Sequence, residues 1–103
     1  MAEPMRIRAS AKGDLVEVKI LMRHDMESGQ RKDKSGALIP AHHIKNLQAR
    51  WNGKVVLDAQ MGPSVAKDPF LSFKFKGGVT GDKVSVTWID SNGDSRTDEA
   101  AIA

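Results

Sequence analysis

The sequence predicts an all-β protein, an immunoglobulin-like antiparallel β-sandwich of about seven strands, with residues 1–103 forming a single domain. Three observations carry that prediction. Apolar residues alternate with period two through most of the chain, helical periodicity is nearly missing, and turn chemistry recurs at regular spacing between the alternating runs.

A first strand is expected over residues 5–10, ended by the turn Lys12-Gly13-Asp14. Residues 15–22 form the next, with Val16, Val18, Ile20 and Met22 on one face. The chain is then polar and charged from Arg23 to Pro40, with Gly29 and Gly36 inside that stretch. Five more strands are expected at residues 43–51, 54–61, 71–76, 83–90 and 95–102. Between them lie Asn52-Gly53, Gly62-Pro63, Gly77-Gly78, Gly81-Asp82 and Asn92-Gly93, all turn formers. Trp88, in the run Val84-Ser85-Val86-Thr87-Trp88, is the expected core aromatic. An open barrel shares this periodicity and is the structural alternative.

Asn52-Gly53 admits two registers. A two-residue loop pairs Trp51 with Lys54 and sets Leu47 opposite Asp58, mixing apolar with polar positions. A three-residue loop, Trp51-Asn52-Gly53, pairs Arg50 with Lys54, Ala49 with Val55 and Leu47 with Leu57, which gathers the apolar side chains. The longer loop is therefore the expected one.

A chain of 103 residues supports one core and buries roughly two-thirds of its unfolded surface. The absence of cysteine excludes disulfides, Cys-ligated zinc, iron–sulfur clusters and thiol catalysis. The net charge of +3 is spread, while Asp82, Asp90, Asp94, Asp98 and Glu99 make the final segment acidic. With the aromatics in or beside the strands, the positive excess reads as solubility and not as a nucleic-acid footprint. No apolar h-region precedes Asp14, so no self-encoded secretory signal is expected, and no run suits a membrane helix.

The chemical motifs are weak. His24, His42 and His43 are the only histidines. On a strand, His42 and His43 point to opposite faces; in a loop they could share a metal with His24 or Asp25. Asp90-Ser91-Asn92-Gly93-Asp94-Ser95 opens like a calcium loop, but Ser95 stands where glycine is required and Ala101 where the bidentate Glu belongs. It reads as a hairpin turn. Gly62-Pro63-Ser64-Val65-Ala66 lacks the final glycine of a nucleophile elbow, and Gly77-Gly78 with Gly81 are too sparse for a phosphate loop. More informative is the connection from Arg23 to His43, of a length uncommon inside compact domains and often functional. This stretch reads either as a segment that docks on a partner or as a long surface connection tucked over a sheet end. It ends in the apolar patch Ala37-Leu38-Ile39-Pro40-Ala41.

Two segments resemble a known family. One is His24-Asp25-Met26-Glu27-Ser28-Gly29-Gln30-Arg31-Lys32-Asp33 with Ile39-Pro40-Ala41-His42-His43-Ile44. The other is Gly62-Pro63-Ser64-Val65-Ala66-Lys67-Asp68-Pro69-Phe70-Leu71-Ser72-Phe73, running into Gly81-Asp82-Lys83-Val84-Ser85-Val86-Thr87-Trp88 and Asn92-Gly93-Asp94. In order and spacing they are similar to SoxZ, the Z subunit of the bacterial sulfur-oxidation (Sox) carrier complex. Position 43 is His where that family has an aromatic, usually Phe.

The resemblance implies an immunoglobulin-like sandwich that forms a heterodimer with a SoxY-like subunit. That partner's Gly-rich arm ends in a cysteine carrying sulfur intermediates of thiosulfate oxidation. It implies transient visits to other Sox enzymes, and a periplasmic location reached by export with the partner. Under this reading the chain has no catalytic residue, no cofactor and no metal. The expected partner face has Arg31 and Asp33 for polar orientation and Ile39, Pro40 and His42 as a docking segment. Pro69, Phe70 and Phe73 form a second expected patch, with a core position as the alternative for Phe73. The rival readings are a metal protein built on His24, His42 and His43, and a basic nucleic-acid binder.

Overall fold

The computed structural model describes residues 4–62 and 65–103. Its strands are β1 (Arg6–Lys12), β2 (Leu15–Leu21), β3 (Ile44–Trp51), β4 (Lys54–Gln60), β5 (Phe70–Lys76), β6 (Lys83–Asp90) and β7 (Ser95–Ala101). Every predicted strand is present, with ends moved by at most two residues. They pair in two antiparallel sheets, ordered β1-β2-β5 and β4-β3-β6-β7. The chain therefore changes sheet after β2, after β4 and after β5, the Greek-key habit of an immunoglobulin-like sandwich. The described residues include no helix.

Period two sets the core. Val16, Val18 and Ile20 of β2 face Leu47 and Ala49 of β3 and Val84, Val86 and Trp88 of β6, all at most 1% exposed. Burying one such aliphatic side chain contributes about 1.5–3 kcal/mol. The C-terminal residues close one side of the sandwich: Ala9 bridges Ile102, and the Ala103 N–H donates to the Ala9 carbonyl at 2.8 Å. On the other side β4 and β5 are sheet edges.

The Asn52-Gly53 turn departs from expectation. Trp51 pairs with Lys54 and Arg50 with Val55, so the loop has two residues. Both are left-handed, Asn52 at φ 49° and Gly53 at φ 78°, as a type I′ turn requires. The predicted three-residue loop does not form, because the I′ turn already matches the twist of the strands. The register then shifts between Ala49 and Arg50, leaving Val56 without a partner, after which Ala49 meets Leu57 and Leu47 meets Ala59. A bulge inside the hairpin thus gathers the apolar residues that the longer loop was expected to gather.

The molecule measures 54 × 20 × 20 Å. A seven-residue strand covers only about 24 Å. Between β2 and β3 lie residues 22–43, which belong to neither sheet.

Candidate functional site

Residues 23–43 fold into an irregular arm that runs out from β2 and returns to β3. The Glu27 N–H donates to the His42 carbonyl at 2.7 Å, and the His42 N–H donates to the Glu27 carbonyl at 2.9 Å. Further out, the Ile39 N–H donates to the Arg31 carbonyl at 2.8 Å and the Asp33 N–H to the Ala37 carbonyl at 2.9 Å. At the tip Asp33 Oδ1 accepts from the Ser35 hydroxyl at 2.7 Å and from the N–H groups of Ser35 and Ala37 at 2.9 and 3.1 Å. That is an Asx-type turn made from the aspartate's own neighbours. The Ser35 hydroxyl, followed by these N–H groups, holds the Asp33 carboxyl below its ordinary range. The Arg31 guanidinium grips the Glu27 carboxylate, with Nε 3.2 Å from Oε2. Residues 30–38 are all exposed, and Leu38 keeps 60% of its surface in solvent.

The arm's root is rigid because of one buried carboxylate. Period two along β6 points Asp90 inward, two residues after Trp88, and only 3% of it is exposed. A buried charge survives only with partners, and Asp90 has four. Its Oδ2 accepts from His24 Nε2 at 3.0 Å and His42 Nε2 at 2.7 Å. Its Oδ1 accepts from the N–H groups of Asn92 at 3.0 Å and Asp94 at 2.9 Å, closing the β6–β7 turn. Burial pushes the carboxyl up, but the hydrogen bonds from His24, His42 and those two N–H groups outweigh it and hold it below its ordinary range. The His24 ring stands edge-on to His42 and Trp88, with centroids 4.7 and 5.2 Å away. Backbone bonds reinforce the root. The Asp68 N–H donates to the His24 carbonyl at 2.9 Å, and the Ser91 N–H to the His43 carbonyl at 2.8 Å.

The ligand atoms of His24, His42 and Asp90 lie within 4.8 Å of one another, a spacing a metal ion could use. The set named by the rival metal reading differs: His43 stays out of the cluster, as does Asp25, and Asp90 takes their place. The proton positions favour a different chemistry. The Met26 N–H donates to His24 Nδ1 at 3.1 Å, so the proton of the neutral ring sits on Nε2 and points at Asp90. A metal on Nε2 would need that proton on Nδ1, facing the Met26 N–H. The arrangement suits a hydrogen-bonded knot better than a coordination site.

The structure gathers one set of expected partner residues and scatters the other. Arg31, Asp33, Ile39, Pro40 and His42 all lie on the arm. His42, however, is committed through Nε2 to Asp90 and serves as an anchor more than a docking group. Pro69, Phe70 and Phe73 form no common patch. Pro69 is buried, its carbonyl accepting from the Met22 N–H at 2.9 Å. Phe73 turns inward, its ring 6.4 Å from that of Phe75, while Phe70 faces out with 62% exposed. Alternate residues of a strand face opposite ways, so Phe70 and Phe73 could not share a surface. Sequence reasoning missed the pairing of Asp90 with His24 and His42. The available signal was parity, since the phase that buries Val84, Val86 and Trp88 buries position 90 too.

Among solved structures the fold resembles the hypothetical protein PH1083 from Pyrococcus horikoshii OT3, with TM-score 0.69, 18% identity, and coverage of 99% of this chain and 89% of that one. It also resembles a superoxide reductase in the oxidised state, at TM-score 0.68 and 15% identity, covering 99% and 89% of the two chains. A mutant superoxide reductase (neelaredoxin) from Archaeoglobus fulgidus gives TM-score 0.63 and 20% identity over 99% and 90%. At such identities the likeness concerns the fold alone. No curated protein sequence matches the chain. The family described as "Sulphur oxidation protein SoxZ" matches residues 5–101, nearly the whole length. On that match the chain belongs to the SoxZ family and is a sulfur-oxidation subunit of the Sox system.

Proposed function

We propose that this chain is the non-catalytic Z subunit of a SoxYZ sulfur carrier, and that the arm of residues 23–43 is what it presents to the Y subunit. The observation that carries this reading is the contrast within the arm. Its root is locked by Asp90, whereas Leu38 and Pro40 lie exposed beyond it, with Ile39 only half-covered. A rigid projection bearing apolar side chains suits a stable heteromeric interface, because little ordering entropy remains to be lost on binding. Arg31 and Asp33, already held in place by Glu27 and Ser35, would supply orientation at the rim. The sulfur would be carried on the partner's C-terminal cysteine, since this chain has none. Export to the periplasm would follow from folding onto that partner before translocation.

The test is co-expression with the Y subunit and co-purification of the pair. Ile39→Asp should abolish the complex while the isolated subunit keeps its melting temperature. Undiminished co-purification would remove the arm from the interface.

A further inference from the structure

The positive charge of the molecule is sorted between its two outer sheet faces. Strand register places four rows across the outside of β1-β2-β5: Lys12–Leu15–Lys76, Ser10–Glu17–Lys74, Arg8–Lys19–Ser72 and Arg6–Leu21–Phe70. Six of these residues are exposed cations and one is a carboxylate, so the face carries +5 where the whole chain carries +3. The outer rows of the other sheet carry Arg50 and Lys83 against Asp58 and Glu99, a balance of zero among Ser, Thr, Asn and Gln and the apolar Val55, Ile89 and Ala101. Spread evenly, such an excess would serve only solubility; concentrated on one sheet it makes a directed field.

The single carboxylate, Glu17, is already engaged by Lys12 at 3.4 Å and Lys19 at 3.8 Å. Lys12 holds its carboxyl below the ordinary range, with Lys19 and Lys74 adding to the effect. Five positive charges thus remain without an acidic counterpart in these rows, on a surface about 20 Å long and about 10 Å wide. One end row is different in kind. There the exposed Phe70 lies beside Leu21, an apolar anchor bordered by Arg6 and Arg8.

We infer that the outer face of β1-β2-β5 is a docking surface for the carboxylate-rich surface of another protein. Phe70 and Leu21 form its anchor, and the lysines and arginines form its rim. An aromatic anchor with a charged border is the anatomy of a protein interface. A single-stranded nucleic acid would call for aromatics interleaved with the charges, and the three basic rows beyond Phe70 hold none. This surface does not depend on the arm or on the Y-subunit reading.

Fluorescence anisotropy with a labelled poly-L-glutamate peptide tests it, with a short DNA duplex run in parallel. Arg8→Glu/Lys19→Glu and Arg50→Glu/Lys83→Glu change the net charge equally but act on opposite faces. Lys74→Glu/Lys76→Glu is a second variant of the basic face, and melting temperatures check that each folds. We expect peptide binding that weakens about tenfold between low and physiological salt. Each basic-face variant should weaken it about tenfold more, with the opposite-face variant within about twofold of wild type. Equal losses on both faces, no peptide binding at low salt, or tighter binding of the duplex through the same residues would overturn the proposal.

Discussion

His42 Nε2 and Asp90 Oδ2 lie 2.7 Å apart, joining the inner end of the arm to the last residue of β6. The same oxygen takes the His24 ring at 3.0 Å, so both legs of the arm are tied to one buried atom. The carboxylate's other oxygen holds the β6–β7 turn. Arm orientation and hairpin geometry therefore stand or fall together.

Removing the carboxylate should cost more than any one hydrogen bond. Asp90→Ala leaves two ring N–H groups and two backbone N–H groups without their acceptor, at about 3–5 kcal/mol. Asp90→Asn keeps one carbonyl oxygen and should cost less. Urea denaturation of the three proteins measures the order, and an Asp90→Ala midpoint equal to wild type would refute the anchor.

The acid dependence has a definite sign. The folded Asp90 carboxyl lies below its ordinary value of 3.8, because its hydrogen bonds outweigh burial. Its stabilisation is therefore complete well above that value and is lost as pH falls through the lower, folded one. Asp98 adds to the same trend: burial raises its pKa, but Arg96 and the Met5 N–H lower it further. Urea midpoints of wild type should fall steeply below about pH 4, and those of Asp90→Asn less steeply.

His42→Ala should loosen the arm selectively. Amide exchange at Ile39 and Asp33 should speed up severalfold, while Val18 and Val86 in the core keep their protection. Uniform acceleration would mean that His42 supports global stability and not arm orientation.

The His24 tautomer predicts indifference to metal. One equivalent of zinc should leave the melting temperature unchanged, as should prior treatment with EDTA. A stabilisation that saturates at one zinc per chain would show that His24 gives up the Met26 N–H to coordinate.

Gly78 is held to glycine by packing. A Cβ there would sit 2.7 Å from Val16 Cγ2, 3.0 Å from Ile102 Cδ1 and 3.1 Å from Phe75 Cε2. Gly78→Ala should cost about 1–3 kcal/mol. At Gly62, where a Cβ meets nothing within 4 Å, the same change should be nearly neutral. Paired thermal melts distinguish the two.

The strands were legible because their signal is local. Val16, Val18, Ile20 and Met22 declare an inward face by alternation alone, and Trp88 is buried where its parity puts it. Asn52-Gly53 shows the limit. Both its registers were visible, but the bulge at Val56 that reconciles a tight turn with an apolar face belongs to the pairing of two strands. Phe70 and Phe73 are near in sequence, but the pleat turns them to opposite faces, and Phe73 takes the core alternative.

Composition and periodicity by themselves determined an all-β chain of about seven strands without thiol chemistry, and the order of its motifs determined the family. Tertiary structure decided what the long connection is. His24, His42 and Asp90 are separated by 18 and 48 residues and carry no shared motif; they meet only because β6 turns a carboxylate into the core and a buried charge must find donors. The basic face also emerged only on folding, when register set Arg8 beside Lys19 and brought Lys12 and Lys76 into one row. Alternation is written residue by residue, whereas convergence depends on which strands become neighbours.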